Sequence, residues 1–581
     1  MPASGRAAEQ RTFVPYPFSP TRHEATLPHL VAGRDSRRHP VVVIGGGPVG
    51  LAAAIGLARH GVRVLLLEAD DSVCSGSRAI CISRRSLEIA DRLGALEGFL
   101  KIGLPWTGGR SFYRHQEVLR FSMPADQNQK LPPMINLAQY SIEQILLNRA
   151  QELPDQIEIR WQARVTGIDV DRDTVSLAVL TPLGDYRLEA DWVIAADGGR
   201  SFIREALGLR LEGTTYEGRY VIVDIRKPNR TPTERFAYFD PPCNPGSTVL
   251  VHQQPEGVWR IDYQLRDGED SDEAIAPENV IPRVADLLEM MGETGPWNPI
   301  WIGIYKANAL TLPRYRHERV LFAGDAAHLV PIFGVRGANS GIDDADNLAW
   351  KLAYVIKGVA QDSLLDSYSS ERVAAARENL RYGMKSTEFM APPSFAFDLM
   401  RKAVLELAVN HPEVRSLINP RQTSAVTYSE SPLKGALSAR EITGSAIPGA
   451  ALPECPLTLV AGGERRRLHV TDLLTLGAEP GFTVLCFGDL PSICVAVTDL
   501  GTRMRNDRVA INAIAITRAF SGTGNEPYGF DHTDRLYPLF GARAGDVVLI
   551  RPDGHILGRW RDPSAIDLVT GIRRVLGNAS G

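Results

Sequence analysis

The stretch Val41–Glu68, VVVIGGGPVGLAAAIGLARHGVRVLLLE, constrains the fold of this chain more than any other. Its four leading apolar residues suit a strand buried on both faces, and a G-x-G-x-x-G pattern follows where a helix opens. Such glycines let the backbone approach a pyrophosphate, whose charge the helix N-terminus stabilises. An acid, Glu68, ends the next predicted strand, where it can bind ribose hydroxyls. The stretch predicts a site for a dinucleotide, NAD or FAD, with a merely tight strand-to-helix turn as the alternative. The residues of the turn are Gly45, Gly47, Pro48, Val49 and Gly50.

The composition argues against several classes of protein. Lysine and arginine total 64 against 68 acidic residues, and the net charge is -4. This balance lacks the excess of positive charge that is typical of proteins that bind nucleic acid or an anionic membrane. The six cysteines contain no C-x-x-C pair and no metal-ligand spacing, which predicts neither a disulfide scaffold nor a metal site. The uncharged run Val41–Ala58 has the length of a membrane span, but its glycines and Pro48 favour the nucleotide-binding unit, so we expect no span. Residues 1–39 look irregular and hold no apolar secretion segment, which predicts a cytoplasmic protein with an N-terminal extension.

Two pairs of residues follow short apolar strands, as ligand-binding residues of open α/β sheets do. Asp197–Gly198 ends the segment ADWVIAADGG, and Gly324–Asp325 follows VLFA. Two other side chains occupy positions from which they can reach a ligand. Arg78 lies in a loop before a helix, although a plain surface charge explains it equally well, and Gln139 lies in the first turn of a predicted helix.

A glycine-rich loop follows the second of these pairs. Arg336 has glycines on both sides and is poorly explained as ordinary surface, which favours a role facing an anion. A helix is predicted from about Gly341 to Lys357. Three charged residues, Arg85, Asp343 and Asp344, are expected to face solvent.

These motifs, in this order, resemble the single-component flavoprotein aromatic hydroxylases, the family of p-hydroxybenzoate hydroxylase and phenol hydroxylase. The likeness covers roughly residues 40–380. The motifs that carry it are Gly45-x-Gly47-x-x-Gly50 with Glu68, Asp197–Gly198, and Gly324-Asp325-Ala326-Ala327-His328 followed by Pro331 and Gly337-x-Asn339.

The resemblance implies FAD as cofactor and NADH or NADPH as reductant. It places Glu68 on the adenosine ribose, Arg78 and Gln139 near the pyrophosphate and ribityl chain, and Asp325 on a ribityl hydroxyl. Asp197 would touch both the pyrophosphate and the docking NAD(P)H. The other implied cofactor-binding residues are Gly45, Gly47, Pro48, Val49, Gly50, Gly198, Gly324, Pro331, Gly337, Ala338 and Asn339.

The resemblance also implies a reaction, the hydroxylation of a phenolic aromatic compound. Reduced flavin would add O2 at C4a, and the hydroperoxide would transfer oxygen to the ring. Arg336 aligns with a basic position near the flavin pyrimidine and is assigned the charge that favours anionic flavin. Ile332 and the sequence around Arg336 depart from the family pattern, which puts a close relative's substrate in doubt. The resemblance implies a phenol or phenolic acid, for example of the hydroxyphenylpropionate type, or a polyketide-like aromatic compound.

A phenolic substrate reacts better as phenolate, which asks for a base or a proton relay. His252 and Tyr238 are the catalytic candidates in the predicted middle strands, with Tyr263 as a third, and each is also explained as a packed strand residue. Arg260 is a candidate for binding a substrate carboxylate, against the alternative of an ion pair on the sheet.

The predicted fold class is α/β: a Rossmann-like FAD-binding domain, an inserted β-sheet substrate domain and a C-terminal domain. The strings GFTVLCFGD and VVLIRPDGHILGRW make the C-terminal domain resemble the thioredoxin-like domain of phenol hydroxylases, but Cys486 has no C-x-x-C partner, so dithiol chemistry is excluded. The domain would be structural or form a subunit interface, which leaves a homodimer open. The predicted divisions are 1–39 extension, 40–215 and 313–380 FAD-binding domain, 216–312 substrate domain, 381–440 helical connector and 441–581 thioredoxin-like domain.

Two other functions are compatible with a flavin site. A flavin halogenase predicts W-x-W-x-I-P, whereas Trp297–Trp301 reads WNPIW at the wrong spacing. A flavin-bearing binding protein would sequester a reactive aromatic compound without turnover. Substrate-dependent reduction of the flavin separates that protein from an enzyme.

Overall fold

The computed structural model describes residues 11–76, 78–123, 126, 128–265, 268–418, 425–433, 444–477, 479–488, 499–519 and 528–577. Residues 1–10 of the predicted extension, Cys494, and residues 419–424 and 434–440 of the predicted connector lie outside the described residues. Among the described helices, none combines the length and the apolarity that crossing a bilayer requires.

A nine-stranded sheet, here called the nucleotide sheet, lies behind the glycine-rich turn. The strand Arg34–Ile44 runs parallel to its neighbours Val64–Leu67 and Gly184–Ala195. Gly184–Ala195 is also parallel to Val320–Phe322, with Ala195 opposite both Ile44 and Phe322. Three strands that are far apart in sequence therefore end side by side. The remaining strands of this sheet are Leu30–Val31, Ile157–Arg160, Arg164–Val170, Val175–Thr181 and Arg316–His317.

The N-terminal extension is not irregular throughout its predicted length. The first long strand already begins at Arg34, because residues from Arg34 to His39 pair with the strand Gly184–Ala195 before the apolar run starts. The expectation of an irregular segment up to residue 39 was wrong at this end.

Two helices pack together over the nucleotide sheet. Pro48–Arg59 approaches Gly337–Ile356 so closely that a Cβ added at Gly56 would lie 2.7 Å from the Cβ of Ala349. A side chain at Gly56 would therefore push the helices apart. The other helices whose bounds both lie within the described residues are Arg84–Leu93, Leu96–Ile102, Gln139–Gln151, Phe202–Ala206, Ser271–Ala274, Pro277–Met290, Leu364–Met390, Phe395–Asn410, Leu536–Phe540 and Ala565–Val575.

The middle sheet has eight strands and is wider than the predicted segment 216–312. Gly108–Tyr113 pairs in parallel with Arg235–Phe239, and His328–Leu329 pairs with the strand Asn298–Thr311. The chain thus contributes to this sheet both before and after the predicted insertion. Its remaining strands are Gln116–Ser122, Glu212–Arg226, Thr248–Gln254 and Val258–Gln264. A separate three-stranded sheet consists of Cys81–Ser83, Leu104–Trp106 and Met134–Asn136.

The C-terminal part forms a seven-stranded sheet of mixed direction. Its core includes Phe482 and Leu568, and it continues into Trp350 and Tyr354 of the helix Gly337–Ile356. Burial of these aromatic rings joins the C-terminal sheet to the nucleotide-binding part. The strands are Pro456–Ala461, Glu464–His469, Phe482–Phe487, Ile511–Thr517, Tyr528–Phe530, Asp546–Ile550 and Ile556–Arg561.

Candidate cofactor and substrate site

The glycine-rich turn tolerates no side chain at two of its positions. Gly45 has φ +105°, and a Cβ there would lie 2.4 Å from the carbonyl oxygen of Ala196. A Cβ at Gly50 would lie 1.9 Å from the carbonyl oxygen of Gly45. Gly47 differs, since among the described residues, its chain neighbours aside, no atom lies within 4 Å of its Cβ position. The first and third glycines are thus required by the fold, and the second leaves room for a ligand.

The helix that follows opens toward the same space. Gly47 is its N-cap and Pro48 its first residue, and no side chain of the described residues caps the N-terminus. The first-turn N–H groups and the positive end of the helix dipole can therefore receive an anion. Val49 faces the other way: Cβ atoms added at Gly324 and Gly341 would lie 2.9 and 2.6 Å from its Cγ2. Its side chain fixes the turn against the second half of the domain.

Glu68 lies at the end of the neighbouring strand, beside the turn. One carboxylate oxygen accepts from the N–H of Gly46 and the other from the N–H of Asp70, at 2.8 Å for Asp70. Burial raises the pKa of Glu68, and these two donors partly offset the rise. A carboxylate held this way is placed to accept from ribose hydroxyls.

Asp197 and Gly198 follow the adjacent strand end. The Oδ2 atom of Asp197 accepts from the N–H of Ile203 at 3.1 Å, whereas its Oδ1 atom is buried without a hydrogen-bond partner among the described residues. Burial raises the pKa of this carboxyl. An unsatisfied buried oxygen beside the nucleotide turn fits a ligand that brings its own donor.

Gly324 and Asp325 follow the third strand end, where Gly324 has φ +63°. Asp325 is exposed in front of the three strand ends, and that space is here called the cleft. Desolvation by the surrounding protein raises the pKa of its carboxyl, and His328 and Arg78 partly offset the rise. Pro331, farther along the loop, packs near Gly383 of the helix Leu364–Met390. The loop is thereby held between the cleft and the long helix.

The helix after this loop begins at Gly337, four residues before the predicted start at Gly341. Gly337, Ala338 and Asn339 thus supply the free N–H groups of a first turn. The Asn339 side chain is already used, because its oxygen accepts from the Ser83 N–H and the Ser86 hydroxyl, and its nitrogen donates to two carbonyls. Its backbone, rather than its side chain, is therefore available to a ligand.

Arg336 is the N-cap of this helix and is buried. Its Nη1 atom donates to the Asn379 side chain at 3.0 Å, and its guanidinium lies 5.1 Å from the centre of the Tyr382 ring. The positive charge therefore sits beside the positive end of the helix dipole, where it strengthens the attraction for an anion.

Arg78 and Gln139 meet at one loop. The side-chain oxygen of Gln139 accepts from the N–H of Ala79 at 3.1 Å, and its nitrogen donates to Glu143 at 2.8 Å. The Arg78 side chain is exposed, and its charge lowers the pKa of Asp325, which places it at the same cleft. Gln139 thus positions the loop, and Arg78 projects from it.

One of the two acidic residues expected in solvent, Asp344, departs from that expectation. Asp344 does not face solvent: it is fully buried, and it accepts from the Gly324 N–H at 2.9 Å, His328 at 2.8 Å and Arg372 at 2.6 Å. Burial alone would raise the pKa of Asp344, but Arg372 and His328 together lower it. Asp344 thus ties the Gly324 turn to the helix that follows it.

Arg85, also expected in solvent, is buried as well. It lies between Asp343 and Asp346, and its Nη2 atom donates to the carbonyl of Asp553 at 2.7 Å. The expectation was wrong because the partners come from the helix Gly337–Ile356 and from the C-terminal sheet. These are remote in sequence.

The candidate residues of the middle sheet lie on two opposite faces, because side chains alternate along each strand. Tyr238 and Tyr263 belong to the cluster that packs on the helix Pro277–Met290, together with Val280 and Leu287. Burial raises the pKa of Tyr238 to about 12. The structure therefore does not bring Tyr238 together with the cofactor-side residues, and its catalytic assignment stays a prediction that the geometry does not support.

The opposite face is here called the loop-facing side, because Ala237 and Leu250 on it pack with Val330 and Phe333 of the loop after Asp325. His252 lies on this side, directly across from Arg260. Burial, with Arg235 and Arg260 nearby, lowers the pKa of His252 well below its ordinary value, so its ring is neutral at pH 7.

Arg260 is an ion-pair residue in this structure. Its Nε and Nη2 atoms donate to Asp224 at 2.9 and 3.0 Å, and its Nη1 atom donates to the Arg78 carbonyl at 2.7 Å. Of the two interpretations of Arg260, the ion pair on the sheet describes its contacts. Its link to the cofactor cleft is the hydrogen bond to the backbone of the Arg78 loop.

Two residues of the loop-facing side were missed by sequence reasoning. Asp262, opposite Leu250, is buried, and burial raises its pKa to about 6 although Arg260 partly offsets the rise. Arg235 is buried on the same side as Ala237 and lines a cavity closed by Met390 and Ile418. The sequence did contain a signal for both residues: each is a charged side chain in an otherwise apolar strand, at a position where strand alternation points it to the inside of the protein.

The residues at the three strand ends fit an extended dinucleotide. Open space at Gly47, the unpartnered Asp197 oxygen and two helix N-termini lie along one edge of the nucleotide sheet. Within the described residues, no group of three or more histidine, cysteine or acidic side chains could hold a metal ion.

Comparison with known proteins identifies the family. The family described as "FAD binding domain" matches residues 38–382, more than half of the chain. The chain belongs to this family of FAD-binding proteins. The predicted FAD cofactor and the resemblance to single-component flavoprotein aromatic hydroxylases are confirmed.

Relatives extend the likeness beyond the matched domain. The chain is 28% identical to a 3-(3-hydroxy-phenyl)propionate/3-hydroxycinnamic acid hydroxylase of Mycolicibacterium smegmatis over 541 residues, 92% of this chain and 93% of that protein. It is 32% identical to the Klebsiella pneumoniae protein of the same name, over 61% of this chain and 62% of that protein.

Solved structures share the architecture. The flavin-dependent monooxygenase PieE, in complex with FAD and substrate, superposes with a TM-score of 0.75 at 23% identity, over 94% of this chain and all of that one. The p-nitrophenol 4-monooxygenase PnpA of Pseudomonas putida gives a TM-score of 0.56 at 28% identity, over 66% of this chain and 99% of that one. The α/β fold class with a Rossmann-like FAD-binding domain is confirmed, while the thioredoxin-like assignment of the C-terminal part stays a prediction.

Proposed function

We propose that this protein is an FAD-dependent monooxygenase that uses NADH or NADPH and O2 to hydroxylate a phenolic aromatic compound. The observation that carries the proposal is the convergence of Ile44, Ala195 and Phe322 at one edge of the nucleotide sheet, which gathers the three motifs of a flavin site. The relatives named hydroxylases of 3-(3-hydroxyphenyl)propionate and 3-hydroxycinnamate support the substrate class.

The residues of that edge would divide the cofactor between them. Glu68 would hold the adenosine ribose, the turn at Gly47 the pyrophosphate, and Asp325 a ribityl hydroxyl. Asp197 would accept from the cofactor and from the reductant where its Oδ1 atom lacks a partner. When bound, the flavin supplies electron transfer from NAD(P)H and the activation of O2.

The helix Gly337–Ile356 and Arg336 would stabilise negative charge on the bound cofactor. The N–H groups of the first turn and the buried guanidinium lie at the same end of the helix. Fixed dipoles and charges in a site that excludes water act more strongly than in solution. This arrangement would favour the reduced, anionic state.

The aromatic substrate would lie between that loop and the loop-facing side of the middle sheet. His252 has a buried Nδ1 atom with no hydrogen-bond partner in the described part of the chain, and as a neutral ring it can accept a hydrogen bond from a phenolic hydroxyl. Asp262 and Arg235 supply one negative and one positive group on the same side. They suit a substrate that carries a hydroxyl and a carboxylate.

The decisive experiment measures coupled turnover. Purified protein should carry flavin or take it up, and one of the two nicotinamide cofactors should be oxidised faster when 3-(3-hydroxyphenyl)propionate or 3-hydroxycinnamate is present. One atom of labelled O2 should appear in the product. Flavin uptake without substrate-stimulated oxidation across a panel of phenols would instead identify a binding protein.

Arg336 offers a test of the site with a matched control. Arg336→Ala should slow flavin reduction by at least about tenfold, since a hydrogen bond or contact with an ionised group contributes about 1.5–3 kcal/mol. Arg381 contacts the same Tyr382 ring from an exposed position, so Arg381→Ala should leave the rate unchanged. Equal reduction rates and equal coupling in both variants would remove the charge role.

A further inference from the structure

The N-terminal segment 11–23, here called the strap, crosses from the middle sheet to the nucleotide-binding part. At one end Arg11 donates to the Trp297 carbonyl at 2.7 Å and stacks on its ring, and the Val14 N–H donates to Pro299 at 2.9 Å. At the other end the His23 ring stacks on Trp161 with 4.3 Å between ring centres. The strap thus bridges the middle sheet and the nucleotide-binding part.

The centre of the strap reaches a buried charge. The Tyr16 hydroxyl donates to the Oδ2 atom of Asp224 at 2.7 Å. Asp224 is completely buried and holds Arg260 through two hydrogen bonds, and Arg260 donates to the Arg78 carbonyl at 2.7 Å. One continuous chain of charge-assisted hydrogen bonds therefore connects Tyr16 to the loop from which Arg78 projects.

A second route ends at the same loop. The rings of Tyr16 and Phe18 contact the Tyr140 ring, at 5.5 and 4.7 Å between centres. Tyr140 follows Gln139, whose side chain accepts from the Ala79 N–H at 3.1 Å. The strap therefore acts on two consecutive residues of one loop, on the carbonyl of one and on the N–H of the next.

We propose that the strap positions the Arg78 loop against the flavin cleft, with Tyr16 as the positioning residue. The inference rests on the proposed function, because the loop matters only if the cleft holds FAD. Tyr16 touches no reacting atom. It fixes the orientation of the Asp224 carboxylate, which orients Arg260, which in turn sets the position of the Arg78 backbone.

Tyr16→Phe tests the proposal because it removes one hydroxyl and keeps both ring contacts. We expect the dissociation constant of FAD, measured by titrating deflavinated protein, to rise about threefold to tenfold, since a hydrogen bond to a charged group is lost. Hydrogen exchange of the backbone amides at 78–83 should accelerate in the apoprotein. That readout requires neither flavin nor turnover.

Two companion variants keep the test sharp. Arg11→Ala removes the outer contact of the strap with Trp297 but leaves the Tyr16 chain intact, so FAD affinity should change by less than twofold. Tyr16→Phe in an Arg260→Lys background should add little further effect, because the chain is already broken at Arg260. A full additional loss in that background would contradict transmission through Arg260.

The outcomes separate this inference from the proposed function. Wild-type protein that takes up no FAD would overturn both. Wild-type protein that binds FAD with the same affinity as Tyr16→Phe, and with the same amide exchange at 78–83, would overturn only the strap. A lower melting temperature of Tyr16→Phe with unchanged FAD affinity would also overturn it, since the strap would then be a simple structural brace.

Discussion

The edge of the nucleotide sheet and the loop-facing side of the middle sheet meet at one cleft but are built in opposite ways. At the nucleotide edge the backbone makes the site, so glycine is required wherever another chain segment approaches closely, as at Gly45 and Gly50. On the loop-facing side, side chains from neighbouring strands make the site, and His252 meets Arg260 only through strand register. A site formed by the backbone can be predicted from a short sequence motif. A site formed by side chains that strand pairing brings together cannot be predicted in this way.

The largest effect that sharpens this contrast is expected at Gly50. A Cβ there would lie 1.9 Å from the Gly45 carbonyl oxygen, so Gly50→Ala must displace the turn. We expect flavin binding to be lost entirely, as measured by absorbance near 450 nm per mole of purified protein.

Two further glycine variants distinguish an effect on folding from an effect on FAD binding. Gly501→Ala, where no atom lies within 4 Å of the Cβ position and which is remote from the turn, should keep the flavin content of the wild type. Gly47→Ala should fold normally by circular dichroism yet bind FAD more weakly, because only the ligand would occupy that space. Normal flavin content in Gly50→Ala would contradict the conclusion that the turn allows no side chain at this position.

The next effect concerns Asp344, which joins the two parts of the nucleotide site. Asp344→Asn leaves the buried Arg372 charge without its carboxylate, and losing one partner of a buried pair costs about 3–5 kcal/mol. Urea denaturation should show that fall in the free energy of unfolding. Asp343→Asn is the matched control: Arg85 retains Glu88 and Asp346, so the loss should stay below about 1 kcal/mol.

What the sequence revealed follows the same division. The strand, turn and helix around Gly47 could be predicted because the periodicity and the glycines are local, and Asp197 and Gly324 stand out because each ends an apolar strand. The start of the helix at Gly337 was missed, since glycine has poor helix propensity and the segment reads as loop.

Buried charges were the systematic failure. Asp344 and Arg85 were expected in solvent because most charged residues are exposed, and the contacts that bury them come from residues remote along the chain. Asp262 escaped notice for the same reason. Local pattern carries no record of a partner that the fold brings from another strand or domain, so such residues become visible only in the structure.

Asp262 gives a smaller effect that depends on pH. Burial raises its pKa from 3.8 to about 6, so the folded state favours the neutral acid. The stabilisation is fully present below pH 3.8 and is lost as the pH rises through about 6, at a cost of roughly 3 kcal/mol for two pKa units. Asp262→Asn should lack this loss, so its stability relative to the wild type should grow between pH 4 and pH 7.

Urea denaturation at several pH values measures that difference. Asp171→Asn, at an exposed turn, should track the wild type throughout the range. A constant difference between Asp262→Asn and the wild type at all pH values would show that the buried carboxyl does not titrate there. Burial of Asp262 would then account for no pH-dependent cost on the loop-facing side.

The smallest effect compares the two faces of the middle sheet directly. His252 lies on the loop-facing side, and Tyr238 lies in the cluster under the helix Pro277–Met290. His252→Gln should lower kcat/KM for a phenolic substrate by about tenfold, because the flexible amide does not hold a hydrogen-bond acceptor at the position of the unpartnered Nδ1 atom. Tyr238→Phe should change it by less than twofold, because the residue packs away from the cleft. If Tyr238→Phe were the more damaging variant, the substrate would bind on the other face of the middle sheet. The loop-facing side would then not be the substrate side of the cleft.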